Sequence, residues 1–211
     1  MQPAVRAYRP EDLDGLYEVC LRTARAGGDA RGTYRRDRIV GDIYAAPYAC
    51  AEPRHVYVLD DGAGAVLGYV LGTADTADFV RWYREVWIPE TADRCPPPAE
   101  PPVSPDDALL ALHRRPERML VPELAAWPAH LHIDLLPRAQ GQGWGGRLMD
   151  TFLAGLRDVG VHGVHLGVDA DNVAAAGFYR RLGFARAEVA SAGPRAMWLH
   201  RDTSPIAART A

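Results

Sequence analysis

Apolar residues recur along this chain in two rhythms, and the order in which the rhythms alternate outlines a fold. Residues 5–8 alternate apolar and polar, as a short half-buried strand does. Pro10, Glu11 and Asp12 open a helix on which Leu13, Leu16, Tyr17, Cys20 and Leu21 fall at helical spacing, until Gly27 and Gly28 break it. A second helical stretch covers residues 34–44 and ends near Pro47. Residues 55–59 and 66–73 read as strands of a hairpin, joined by the Asp-Asp-Gly-Ala-Gly turn at 60–64. Further on come a strand at 130–136, an amphipathic helix at 145–159, a strand at 164–168 and a helix at 172–182. Two short strands, 185–189 and 196–200, close the pattern, and the tail from Asp202 is expected to fray.

Residues 75–127 do not fit a plain loop, because they are too many. They are expected to form an ordered insertion or a lid. The segment carries Phe79, Trp82, Tyr83 and Trp87, a proline-rich run over 96–105 and a helical piece over 106–114. Its aromatic rings, with Trp127, either pack in the core or line a substrate cavity and exclude water.

Composition narrows the function classes. A chain of 211 residues, 48% hydrophobic, is expected to form one domain over 1–211 with a full core. A net charge of −3 gives no reason to expect nucleic-acid binding. No apolar run nears the roughly 20 residues that span a bilayer, so no membrane partner is expected. Residues 1–8 lack a basic stretch followed by an apolar one, and the three scattered cysteines offer neither a disulfide framework nor zinc-ligand spacing. The expectation is a cytoplasmic protein with reduced thiols and no metal, a monomer or homodimer. All 24 basic residues are arginine, so an enzyme that acylates amines would find no lysine on itself.

The sharpest local feature is Gln140-Gly141-Gln142-Gly143-Trp144-Gly145, followed by Gly146 and Arg147, between the strand at 130–136 and the next helix. Glycines let backbone approach a ligand, and the first helix amides point out of the N-terminus, so together they cradle a phosphate. A nucleotide P-loop needs Gly-Lys, and Gly146-Arg147 stands in its place. A dinucleotide fingerprint does match at Gly141, Gly143 and Gly146, with Asp169 after the next strand as a ribose-binding acid. Against it, the motif sits late, behind an antiparallel hairpin, and three residues separate Pro137 from the first glycine.

A third reading fits more of the chain. The loop resembles the phosphate motif of the GNAT superfamily of N-acetyltransferases, Arg/Gln-x-x-Gly-x-Gly/Ala, and Asn172, Ala175, Tyr179, Gly183 and Phe184 match the family's downstream pattern at the same spacing. Within the superfamily, the aromatic insertion and the run His132 to Pro137 are most similar to the acetyltransferase-like C-terminal domain of O-GlcNAcases. The resemblance implies an α/β (α+β) fold: a mixed, mostly antiparallel sheet of about seven strands flanked by helices, with a large insertion before the coenzyme-binding strand. It implies acetyl-CoA as cosubstrate and an amine acceptor, either a small molecule or a protein. The competing function is an acetyl-CoA-binding module without activity, acting as sensor or scaffold.

The same resemblance implies roles for residues. The amides around Gln140, Gly141, Gln142, Gly143, Trp144, Gly145 and Gly146 would hold the pyrophosphate. Arg147 would add a charge-assisted contact or stand solvated. Leu135 and Leu136 would meet the pantetheine arm, for which the strand splays from its neighbour. Tyr179 would protonate the leaving thiolate or else pack as a core tyrosine. Asn172 would touch the coenzyme arm or simply cap its helix. For the base, alternation puts His130, His132, Asp134 and Leu136 on one strand face. Asp134 is the first candidate and His132 the second; Asp169 is a third candidate or a turn former. No cysteine lies in either motif, so transfer is expected to be direct, without a covalent carrier.

Overall fold

In a computed structural model that describes residues 2–190 and 196–205, one seven-stranded sheet organises the chain. Its strands are β1 (Ala4–Ala7), β2 (Val56–Asp60), β3 (Val66–Thr73), β4 (Ala129–Leu135), β5 (Gly163–Asp169), β6 (Ala185–Ala187) and β7 (Ala196–Asp202). They lie in the order β1-β2-β3-β4-β5-β7-β6. Every neighbouring pair is antiparallel except β4 and β5, which are parallel. Parallel neighbours need a crossover. Here it is helix α7 (Trp144–Asp158), numbered after α1 to α6 below.

Alternation along the strands sorts side chains onto two cores. One joins Val56, Val58, Tyr69, Leu71 and Leu136 to α1 (Leu13–Thr23), α2 (Ile39–Tyr44) and α3 (Ala46–Ala51). The other joins Leu59, Val70 and Leu131 to α7, whose Leu148, Met149, Phe152, Leu153 and Leu156 follow helical spacing and are all buried. Burying a side chain such as Phe152 stabilises by roughly 1.5–3 kcal/mol before entropy is counted.

Several expectations change. The helix over 34–44 shortens to Ile39–Tyr44, and Pro47 starts a helix instead of ending one. Proline lacks only an amide that the first turn leaves unpartnered anyway. Residues 75–127 are ordered and partly helical. Asp75 caps α4 (Thr76–Trp82) by accepting from the Ala77 and Asp78 amides at 2.8 and 3.0 Å. The helix continues through a π-helical turn (Tyr83–Trp87) into α5 (Ile88–Glu90), and α6 (Pro105–His113) follows under a Ser104 cap. Helix α8 is Val173–Arg181. The fraying expected from Asp202 does not begin there: β7 includes Asp202, and the buried Thr203 donates its amide to the His162 carbonyl at 3.0 Å. Residues 206–211 of that tail lie outside the described residues.

Candidate active site

The parallel pair is where the sheet opens. Strands β4 and β5 meet only at Ala129↔Val164 and His130↔His165. On its other side β4 stays paired to Gly68↔Leu135, and the Leu136 amide donates to the Leu67 carbonyl at 2.8 Å. Alternation therefore turns the backbone groups of Leu131, Ile133 and Leu135 toward the opening. A cleft of about 1060 Å³ follows it.

The glycine loop forms part of this wall. Gly141 and Gly143 have φ of +72° and +81°, and a Cβ built on either would meet nothing within 4 Å. Glycine is needed there for the backbone conformation, and the space above it stays open for a ligand. Gly143 sits at the N-terminus of the 15-residue α7, whose first amides lack intrahelical partners. The side-chain amides of Gln140 and Gln142 donate to the Leu135 and Arg138 carbonyls, both at 2.8 Å, and so brace the loop.

Gly145, Gly146, Leu135, Gln140 and Asn172 also line the cleft. Four residues expected to hold coenzyme are not on its wall. Leu136 is 3% exposed, packs into the core with Tyr69 and the residues of α1 to α3, and has its amide engaged with β3. Arg147 is exposed and stands 4.6 Å over the Trp144 ring. Gln142 and Trp144 are left with their main-chain amides as the groups nearest the cradle. Asn172 accepts the Ala175 amide at 3.0 Å through Oδ1, so it does cap α8, and only its Nδ2 remains for a ligand.

The proposed acid and base face one space. Half-buried Asp134 receives the Tyr69 hydroxyl at 2.8 Å. Burial raises its carboxyl pKa, and hydrogen bonds from Tyr69 and Thr23 oppose that. Tyr179 is 8% exposed, packed edge-on against Phe178 and Phe184. Burial, and then the charge of Asp134, raise its hydroxyl pKa, so the proton stays on. His132 lies on the same face of β4 as Asp134, and burial with the Arg118 charge pushes it down to about 4, which keeps it neutral at pH 7. Asp169 also lines the cleft, and it accepts the Asp171 amide at 3.0 Å, as a turn former does.

The structure adds residues that sequence motifs did not indicate. Cys20 and Thr23 of α1 line the cleft. Burial and the charge of Asp134 push the Cys20 thiol up to about 12, so it is not a thiolate at neutral pH. The insertion reaches the cleft through Leu109, not through its large aromatic side chains. Tyr83 and Trp87 are buried in the core, Trp82 packs against them, and Trp127 lies against Gly163 and His200. No local signal could have placed α1 or α6 at this site, because both arrive by tertiary packing.

A parallel strand pair splayed beside a glycine-rich helix start is the arrangement of one class of acyltransferases. Residues 24–184 match the acetyltransferase (GNAT) family, and the chain belongs to it. Among particular proteins, it is similar to SsHAT, known from a crystal structure, with 51% identity and a TM-score of 0.92 over 97% of this chain and 100% of that one. It is similar in sequence to the protein O-GlcNAcase of Rattus norvegicus, 24% identical over 181 residues, covering 85% of this chain but only 20% of that protein's length. In fold it is also similar to yncA, a putative acetyltransferase from Salmonella typhimurium with its cofactor acetyl-CoA. That likeness has 16% identity and a TM-score of 0.56, covering 100% of this chain and 99% of that one. No helix among the described residues is long and apolar enough to cross a membrane.

Proposed function

We propose that this chain is a cytoplasmic acetyl-CoA-dependent N-acetyltransferase that acetylates a primary amine by direct attack within a ternary complex. The observation that carries this reading is the cleft itself. One space joins the open glycine cradle, the unpaired edge of β4, and the facing pair Asp134 and Tyr179.

Acetyl-CoA supplies an activated acetyl thioester. The amides from Gly141 to Gly146, those of Gln142 and Trp144 included, hold its pyrophosphate at the positive end of α7. The backbone of Leu131 and Ile133, with the Leu135 amide, pairs with the amides of the pantetheine arm, which satisfies strand groups that β5 leaves open; the Leu135 carbonyl already accepts from Gln140. Asn172 Nδ2 donates to the arm. An alkyl amine has a pKa near 10.4 and attacks only as the neutral base. Asp134 takes the proton that the amine loses, and its raised pKa makes it a stronger base than an ordinary carboxylate. As the C–N bond forms and the C–S bond breaks, Tyr179 donates its hydroxyl proton to the sulfur. Cys20 stays a protonated bystander, which leaves the amine as the nucleophile.

The test is to mix the protein with acetyl-CoA and a panel of small and peptide amines and to follow free thiol. Amine-dependent thiol release is expected, and the absence of lysine keeps acetylation of the protein's own side chains from obscuring it. Acetyl-CoA binding without thiol release on any amine would point instead to an acetyl-CoA-binding sensor or scaffold.

A further inference from the structure

His132 is tied to the insertion by an unbroken run of hydrogen bonds. The Tyr48 hydroxyl of α3 lies 3.1 Å from His132 Nε2 and 2.7 Å from His130 Nε2. The Thr76 hydroxyl, at the start of α4, lies 2.8 Å from His130 Nδ1 and 2.7 Å from the Pro128 carbonyl. Counting protons gives each link a direction. A carbonyl only accepts, so the single hydroxyl proton of Thr76 goes to Pro128. Thr76 therefore accepts from His130, whose proton is on Nδ1. His130 Nε2 is a bare lone pair and takes the Tyr48 proton; the Met119 sulfur, at 4.0 Å, is too distant to compete. Tyr48 has no second proton, so it accepts one from His132 Nε2. The Nδ1 atom of His132 is left as a lone pair. It makes no hydrogen bond among the described residues and is not a buried orphan, and His132 lines the cleft.

We propose that this relay, anchored on the insertion, locks His132 in its Nε2–H tautomer, so that a fixed Nδ1 acceptor faces the cleft beside Asp134 and receives an N–H of the acceptor amine. The proposal rests on the N-acetyltransferase reading. Tyr48, His130 and Thr76 are positioning residues; His132 is the one that touches substrate. Two acceptors on one strand face hold an amine by two N–H bonds and so orient its lone pair. A primary amine supplies both bonds, whereas an alcohol supplies one. Burial keeps both histidines neutral at pH 7, which the tautomer lock requires. The insertion then acts as a brace for the acceptor side of the site.

The lock is read directly by long-range ¹H–¹⁵N correlation of the histidine rings in the full chain, with His132 assigned by comparison with His132→Asn. The expected wild-type spectrum shows an unprotonated Nδ1 and a protonated Nε2 at His132. Thr76→Val removes the first acceptor; His130 then shifts its proton to Nε2, the relay reverses, and His132 Nδ1 becomes protonated. The KM for amine should rise roughly tenfold, the worth of about one good hydrogen bond, with acetyl-CoA affinity unchanged. Thr76→Ser keeps the hydroxyl and should keep the wild-type tautomer. A protonated Nδ1 in the wild type, or an unchanged tautomer in folded Thr76→Val, would overturn the proposal. If Thr76→Val fails to fold, the wild-type tautomer and Tyr48→Phe decide it by the same readout. A correctly locked His132 in a protein that acetylates no amine would count against the proposed activity and leave the lock supported.

Discussion

In the proposed mechanism Asp134 and Tyr179 divide the proton chemistry, because burial acts on both in the same direction. A buried carboxylate becomes more basic and a buried phenol holds its proton more firmly. Replacing Asp134 with Asn should lower turnover by about a hundredfold or more and leave acetyl-CoA affinity unchanged, as kinetics and calorimetry would show. The pH profile carries a sign. Asp134 is a base only while ionised, so that form is present above its raised pKa and is lost as pH falls through it. The wild-type profile of kcat/KM should have an acid limb above pH 3.8, the ordinary carboxyl value, and the Asn variant should lack it. Tyr179→Phe should cut kcat by at least about tenfold with little change in coenzyme binding. Turnover equal to wild type would remove Tyr179 as the acid. Tyr179 was legible as a candidate through the spacing of Asn172 to Phe184, and Asp134 through alternation along the strand at 130–136. Cys20, Thr23 and Tyr69 were not: α1 and β3 bring them to Asp134 from far away in sequence.

At the scale of elements, the glycine loop and α7 act as one unit. Gly143 has positive φ and precedes the first free amides of the helix. In Gly143→Asp the carboxylate would sit where a pyrophosphate belongs. The left-handed backbone of Gly143 costs an Asp about 1–2 kcal/mol, a cost that the helix N-terminus partly offsets for an acidic side chain, so acetyl-CoA binding should be lost while the fold persists. Calorimetry with circular dichroism tests this, and retained binding in a folded variant would refute the loop assignment. The strand–loop–helix run was legible because strand alternation, glycine and helical periodicity are local signals. The helix expected over 34–44 ends at Tyr44 as read but starts only at Ile39, and Pro47, read as a stop, instead lies in the first turn of α3. The run through α4, the π-helical turn and α5 is not among the elements read from the sequence. Its buried positions do fall at helical spacing, Val80, Tyr83, Trp87 and Ile88 standing at i, i+3, i+7 and i+8, a signal that reading 75–127 as an irregular insertion passes over.

Over the whole molecule, buried histidines link folding to pH. His55, His113, His130, His132 and His165 are all buried enough to have lowered pKa values, with His113 at about 4. A histidine whose folded pKa is depressed leaves stability untouched above its unfolded value of 6.5. Below that the unfolded chain binds the proton first, and stability falls until pH passes the folded value. His113 alone should remove about 3 kcal/mol between pH 6.5 and 4, visible as a falling urea midpoint at constant slope. A flat midpoint over that interval would show these rings to be solvated. By itself the chain of residues determined most of the order of elements, the glycine loop between strand and helix and the candidates for proton chemistry, because periodicity, glycine and spacing are written over a few neighbours. Tertiary structure alone decided that β4 and β5 part after His130, that α1 supplies a protonated thiol, and that Tyr48 and Thr76 reach the histidines of β4. Those facts depend on residues from 35 to 114 positions apart meeting in space. Which residues meet is a property of packing and register, and no local pattern records it.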